Sequence, residues 1–366
     1  MKIGILTYHR AENYGALLQA YALRTYLQSL GHDVTFVDYW PKYHSDYFSL
    51  FSWNRLSHLR IDKRVFYLLA MLIWARPRYV RKHRLQRFMH EQLGLSLSPI
   101  YIHTGCVTDH FDVVVYGSDQ IWRKQNLGGV GFDDWYFGVP NVKADKKIVY
   151  AGSMGTIKTD EADNNYIQEM MRNFDRISVR ENDLQDYLQG LNIQSQLVID
   201  PVFLLNEKQW QEVMDSQRIS GSYILFYNLL NTPESTRFAE SLSKDTGLPI
   251  REVNKKMSFR HLGGRYISTA SVSKFLRLIH DAEFVVSNSF HGVAFSILFE
   301  KQFYAVCMGE KSSRVESLLK MIGLQKRYIE SLNDISRSQI DYDLVRQKVL
   351  MQTESSKQYI NNCLTL

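Results

Sequence analysis

Cysteine is nearly absent: Cys106, Cys307 and Cys363 are the only three in 366 residues, and no two stand as CxxC. Three thiols make no even disulfide framework and no structural zinc site, so the chain suits a reducing compartment. Long apolar runs are missing too. The longest, Phe66 to Ala75, has ten residues, about half of what a membrane-spanning helix needs. The opening MKIGILTYHR turns polar at once and reads as a first strand, not a signal peptide. A soluble, cytoplasmic protein is the expectation. No GxGxxG follows the first strand, so a dinucleotide site has no support. Asp133-Asp134 is not a DxD metal motif, and no short repeat or low-complexity tract occurs.

What is present is an ordinary globular composition, 45% hydrophobic, 13% aromatic and 22% charged. The length suits two domains of about 150 to 200 residues each. Apolar strand patterns alternate with helical spacing throughout, which predicts an α/β fold of two Rossmann-like halves. The opening KIGILTY strand, the helix carrying Leu17, Ala20, Leu23 and Leu27, and the strand Asp33 to Tyr39 form a βαβ unit. That unit places Asn13-Tyr14-Gly15 at the carboxyl edge of a sheet. Pro201 interrupts the pattern of LVIDPVFLL, so residues 1–195 are expected as the first domain and 196–366 as the second, with helices closing the chain. The last segment, from about Asp341 to Leu366, is expected to be an amphipathic helix.

The charge is unevenly placed. Ten Lys or Arg lie between Arg55 and Arg87 against one acid, Asp62, while the whole chain carries +6. The remainder is therefore acidic on balance, which does not suit general nucleic-acid binding. A basic helical insertion over about 55–95 with an apolar, aromatic-bearing run suits an anionic membrane surface or a lipid-linked anionic acceptor; the plain alternative is a solvated helical face.

Three strand tips carry chemistry. In Phe284 to Phe299 an apolar strand runs into Ser287, Asn288 and Ser289, which can cap the following helix; His291 sits at the lip, and Gly292 would let a ligand approach. Asp119 follows the strand Phe111 to Tyr116 in GSDQ, either to meet a reacting group or to cap a helix. Arg180 ends RISVR, as a fork for carboxylate or phosphate or as a partner of Glu181 or Asp183. His9 and Arg10 share the first loop, where they line a cleft or an ordinary turn. Trp122, Trp135 and Tyr136 either stack on sugar rings or fill the core.

The pieces NYGALLQAYAL, YGSDQIW, SVRE, DPVFLL and SNSFHG, with the arginine-bearing SSRVESLLKMIGLQKR after them, resemble in order and spacing the polysaccharide pyruvyl transferase family. The likeness runs from Lys2 to Arg327. It implies two Rossmann-like domains facing across a cleft, similar to the glycosyltransferase-B architecture, with the acceptor on the first and the donor on the second. It implies transfer of the enolpyruvyl unit of phosphoenolpyruvate to two hydroxyls of a sugar in a cell-surface polysaccharide or its lipid-linked precursor, with no metal, nucleotide or other cofactor. It carries over Asp119 and His291 as catalytic residues and Arg180 as a substrate clamp, with Asn13, Asn288, Ser289 and Arg314 beside the substrate. Many members have Arg where Ser289 stands, so Arg10, Lys255, Lys256, Arg265 and Arg314 are candidates for the missing positive charge. A nucleotide-sugar glycosyltransferase of the same architecture and a non-catalytic glycan-binding relative are the rival readings.

Overall fold

The computed structural model describes residues 1–48, 56–57, 60–97, 100–101, 107, 109–125, 131–139, 142–254, 263–306, 308–309, 312–330 and 338–365. Its first half runs β1 (Lys2–Leu6), α1 (Tyr14–Ser29), β2 (Asp33–Phe36), α2 (Lys42–Tyr47), α3 (Ile61–Glu91), β3 (His110–Tyr116), β4 (Lys143–Gly152), α4 (Glu161–Met170), β5 (Arg176–Val179), α5 (Asn182–Gly190) and β6 (Gln196–Leu197). The second half runs α6 (Glu207–Val213), β7 (Ile224–Tyr227), α7 (Pro233–Thr246), β8 (Ile250–Val253), β9 (Tyr266–Ile267), α8 (Val272–His280), β10 (Phe284–Ser287), α9 (Phe290–Leu298), β11 (Gln302–Val306), α10 (Ser313–Ile322), β12 (Tyr328–Ile329) and α11 (Tyr342–Thr365).

Each half builds one six-stranded sheet, ordered β2-β1-β3-β4-β5-β6 and β12-β11-β10-β7-β8-β9. All strand pairings are parallel. Central strands such as Val113–Tyr116 and Ile224–Tyr227 are buried along their length, as parallel sheets covered by helices on both faces require. Winding reverses between β1 and β3 in the first sheet and between β7 and β10 in the second. Crevices form beyond the strand ends at such reversals. The loops leaving β1, β3 and β10 therefore lie where a ligand belongs.

The two reversals face each other. Tyr14, at the start of α1, stacks on Phe275 of α8 with ring centroids 4.5 Å apart, and its hydroxyl donates to the Ala270 carbonyl at 2.8 Å. One apolar core runs without a break from Ile5 and Leu17 of the first half to Trp210, Phe275 and Phe295 of the second. The change-over expected at residue 196 falls later, because β6 still pairs with β5 in the first sheet. The closing helix α11 also returns to the first domain: the Tyr359 hydroxyl donates to the β4 carbonyl of Val149 at 2.9 Å, and Ser356 Oγ accepts the Ile199 N–H at 2.9 Å. Among the described residues, no helix is long and apolar enough to cross a membrane.

Phe275 is fully buried where the two halves meet. Phe275→Ala should lower stability by about 3–5 kcal/mol, the usual cost of deleting a core aromatic ring. Urea unfolding followed by tryptophan fluorescence is the measurement; a loss below 1 kcal/mol would show that this contact does not hold the halves together.

Candidate active site

The turn after β3 is built on Gly117, whose φ is +106° and where a Cβ would stand 2.5 Å from the Tyr150 carbonyl oxygen. Only glycine fits there. Asp119 follows with φ +73°, and its Oδ1 accepts the N–H of Gln120 at 2.8 Å. No helix begins at this turn, so Asp119 is not a helix cap. Its carboxylate instead lies 3.6 Å from Nη2 of Arg180.

Arg180 leaves the tip of β5 and is buried. Its Nη1 donates to Ser118 Oγ at 2.9 Å and to Asp200 Oδ2, while Nε lies 3.4 Å from Glu181 Oε1. The partners of the guanidinium are thus Asp200, Asp119 and Glu181, not Asp183. Its Nη2 is buried without a hydrogen-bond partner.

His291 comes from the other domain, in the first turn of α9, and is buried. Its ring occupies the space beside Gly15: a Cβ at that glycine would stand 2.0 Å from Nδ1. Nε2 has no hydrogen-bond partner and lies 3.9 Å from Asp200 Oδ2. The neighbouring Phe290 ring carries two cations, the guanidinium carbons of Arg180 at 4.9 Å and of Arg314 at 5.8 Å from its centroid. Asp119, Arg180, His291 and Arg314, from four separate stretches of chain, therefore share one place.

Burial pushes the His291 pKa down to about 4, with the Arg180 and Arg314 charges adding to burial and Asp200 and Asp119 opposing it. At pH 7 the imidazole is therefore neutral. Burial drives the Glu181 carboxyl the other way, up to about 7, against the pull of Arg180 and Arg314 and a 2.5 Å hydrogen bond from Ser153 Oγ. Burial also works against the charge on Arg180, yet Asp200, Glu181 and Asp119 hold its pKa above the usual value. Arg314 is held below its usual value, first by burial and then by the charge of Arg180. Two adjacent guanidiniums with unpaired buried nitrogens beside them suit a bound anion.

Other expected residues are engaged elsewhere. Asn13 caps α1, accepting the Gly15 N–H at 2.9 Å. Asn288 spends both ends of its amide inside the domain, accepting from the Leu229 N–H at 2.7 Å and donating to Asn228 Oδ1 at 2.9 Å. Ser289 holds the N-cap position of α9, but its side chain makes no cap hydrogen bond. At Gly292 the close neighbours are Ser287 Oγ and the Tyr227 ring, 2.2 and 2.8 Å from where a Cβ would lie. That glycine serves packing, not ligand approach. His9 is buried against Asp38, which Arg10 grips with two nitrogens at 2.5 and 2.6 Å. Arg265 pairs with Glu240 and Glu252, and Lys255 and Lys256 lie outside the described residues. Trp122, Trp135 and Tyr136 are core residues. Asp200 and Glu181 were the omissions: Asp200 receives Arg180 and Ser118 on one oxygen while the other caps the turn at Val202. The acid directly before Pro201 was the available signal.

Paired Rossmann-like domains that bring charged groups together where their sheets reverse form the setting of a group-transfer enzyme. Residues 13–306 match the sequence pattern of the family "Polysaccharide pyruvyl transferase", so the chain belongs to that family and is a transferase. No curated protein matches it in sequence. Among solved structures, the fold is similar to UDP-GlcNAc 2-epimerase of Methanocaldococcus jannaschii in complex with UDP-GlcNAc and UDP, at 11% identity and TM-score 0.45 over 100% of this chain and 99% of that one. It is also similar to the spinosyn rhamnosyltransferase SpnG, at 12% identity and TM-score 0.40 over 100% and 96%. A functionally uncharacterised protein of Klebsiella pneumoniae matches at 12% identity and TM-score 0.38 over 70% and 88%.

Two outcomes check this geometry. By NMR, the His291 ring should titrate near pH 4 in the ligand-free protein. Because the folded pKa lies below the unfolded one, the stability this histidine contributes is present above the ordinary imidazole value of 6.5 and fades as pH falls towards 4; His291→Gln should flatten that part of the curve. Gly15→Ala should displace the His291 ring and cost at least about tenfold in turnover, since small misplacements of a reacting group are expensive. Wild-type turnover in Gly15→Ala would show that the ring's position does not matter.

Proposed function

We propose that this cluster holds phosphoenolpyruvate and transfers its pyruvyl unit to two hydroxyls of one sugar in a cell-surface polysaccharide or its lipid-linked precursor, giving a cyclic ketal and inorganic phosphate. The observation that carries the reading is the meeting of Arg180, Arg314 and His291 around unpaired buried nitrogens, 3.6 Å from the carboxylate of Asp119. Arg180 and Arg314 hold the donor's carboxylate and phosphate, and Arg314 supplies the cation that many family members carry at the position of Ser289.

The enol CH2 takes up a proton, leaving a cationic carbon beside the carboxylate. Two C–O bonds then form from the sugar to that carbon as the bond to phosphate breaks. Of the two hydroxyl protons released, one balances the proton taken by carbon and the other leaves with phosphate or solvent. Asp119 accepts from the attacking hydroxyl. The donor's negative charge raises the His291 pKa, because an adjacent anion favours the imidazolium. His291 therefore gains a proton as the donor binds and delivers it to the enol carbon or to the departing phosphate. Glu181, already near 7, can relay that proton. We place the reaction in the cytoplasm, at the inner face of the membrane where the acceptor is lipid-linked.

Phosphate release from phosphoenolpyruvate in the presence of acceptor tests the assignment. His291→Ala and Asp119→Asn should each lower turnover by about 10²- to 10⁴-fold, the usual worth of a positioned acid or base. Near-wild-type rates in both variants would overturn the roles. A rise in melting temperature with nucleotide sugars but not with phosphoenolpyruvate would overturn the donor, since only a bound ligand stabilises the fold.

A further inference from the structure

Helix α3 has two unlike faces. Inward, Trp74, Leu85 and Phe88 are buried, and its cations tie down both domains: Arg81 donates to the Glu12 carbonyl at 3.3 Å, Lys82 pairs with the Glu12 carboxylate at 3.4 Å, and Arg84 donates to the Thr269 carbonyl at 2.6 Å. Outward, Val65, Leu68, Leu69, Leu72 and Ile73 recur at three- and four-residue spacing, Tyr79 follows about two turns after Leu72, and all six are 44% to 75% exposed. Apolar side chains in one continuous exposed stripe mark a contact surface. Lys63, Arg64 and Arg76 are exposed on the same stretch, and between Arg55 and Arg87 the sequence holds ten cations and one acid.

We propose that this outward face of α3 lies in the surface of an anionic lipid bilayer, its apolar stripe among the acyl chains and its cations at the headgroups. Charge decides the occupant: a second copy would set Lys63, Arg64 and Arg76 against the same cations, whereas an anionic headgroup layer complements them. The position fits a membrane-bound acceptor if the lipid-linked reading above holds. Glu12, held by Arg81 and Lys82, is three residues from Gly15, which touches His291. The helix thus sets the bilayer beside the loop that opens onto the reacting groups.

Flotation of the full chain with vesicles of phosphatidylglycerol and phosphatidylcholine, compared with phosphatidylcholine alone, tests the surface. The wild type should float with the anionic vesicles and stay behind with the neutral ones. The pair Leu69→Asp, Leu72→Asp should abolish flotation. The pair Lys63→Glu, Arg76→Glu should weaken it about fivefold for each cation removed. Turnover of phosphoenolpyruvate with a water-soluble acceptor should stay at the wild-type level in all four substitutions. Equal recovery with both vesicle types, unchanged flotation of the variants, or a concentration-dependent dimer that disappears in Leu69→Asp, Leu72→Asp without vesicle binding would overturn the proposal. Flotation that behaves as described with no phosphate release from any donor would instead overturn the transfer reaction and leave the surface standing.

Discussion

The buried pair of Arg180 and Asp200 is the constraint on which the site depends. Three strand tips of the first sheet meet in it: β3 through Ser118, β5 through Arg180, and the segment after β6 through Asp200. Across the joint, His291 of the second domain comes within 3.9 Å of the same carboxylate. Burying two charges is expensive, and the fold tolerates it because hydrogen bonds from Ser118 and Val202 engage Asp200 as well. Leaving either charge alone in that interior costs about 3–5 kcal/mol, more than the pair adds. An arrangement of that kind is explained better by the position it imposes on neighbouring groups than by stability.

The electrostatics of the cluster follow from the same pair. Three carboxylates, of Asp119, Glu181 and Asp200, face two guanidiniums and an imidazole. An anion entering there meets a field that is not strongly positive, so its binding is tied to proton uptake. Burial has moved the His291 pKa down and the Glu181 pKa up, and these two groups can take the proton. On the proposed reading, the donor's arrival makes the catalytic acid.

Much of this was legible in the sequence because the physics is local. Apolar strands ending in polar loops, with helical spacing between them, made the alternating α/β order readable; the helix at Pro233–Thr246 follows from its proline start and glycine stop. The strand tips bearing Asp119, Arg180 and His291 were visible for the same reason. What stayed hidden depends on contacts between distant segments. Asp200 looked like part of a strand broken by proline, since nothing nearby shows that Arg180 points at it. Asn288 has the composition of a ligand-binding loop, yet its amide is used up by residues about sixty positions earlier. The return of α11 to the first sheet leaves no mark on its own periodicity, because a helix buries its apolar face alike against either domain.

That return has a consequence for how the protein is made. The first half builds its sheet but does not finish covering it: Val149 on β4 and the segment at Ile199 wait for Tyr359 and Ser356 of α11. During synthesis that part of the amino-terminal half stays uncovered until α11 has been made. The two halves are thus one cooperative unit, and cutting between them would yield fragments that each lack a wall.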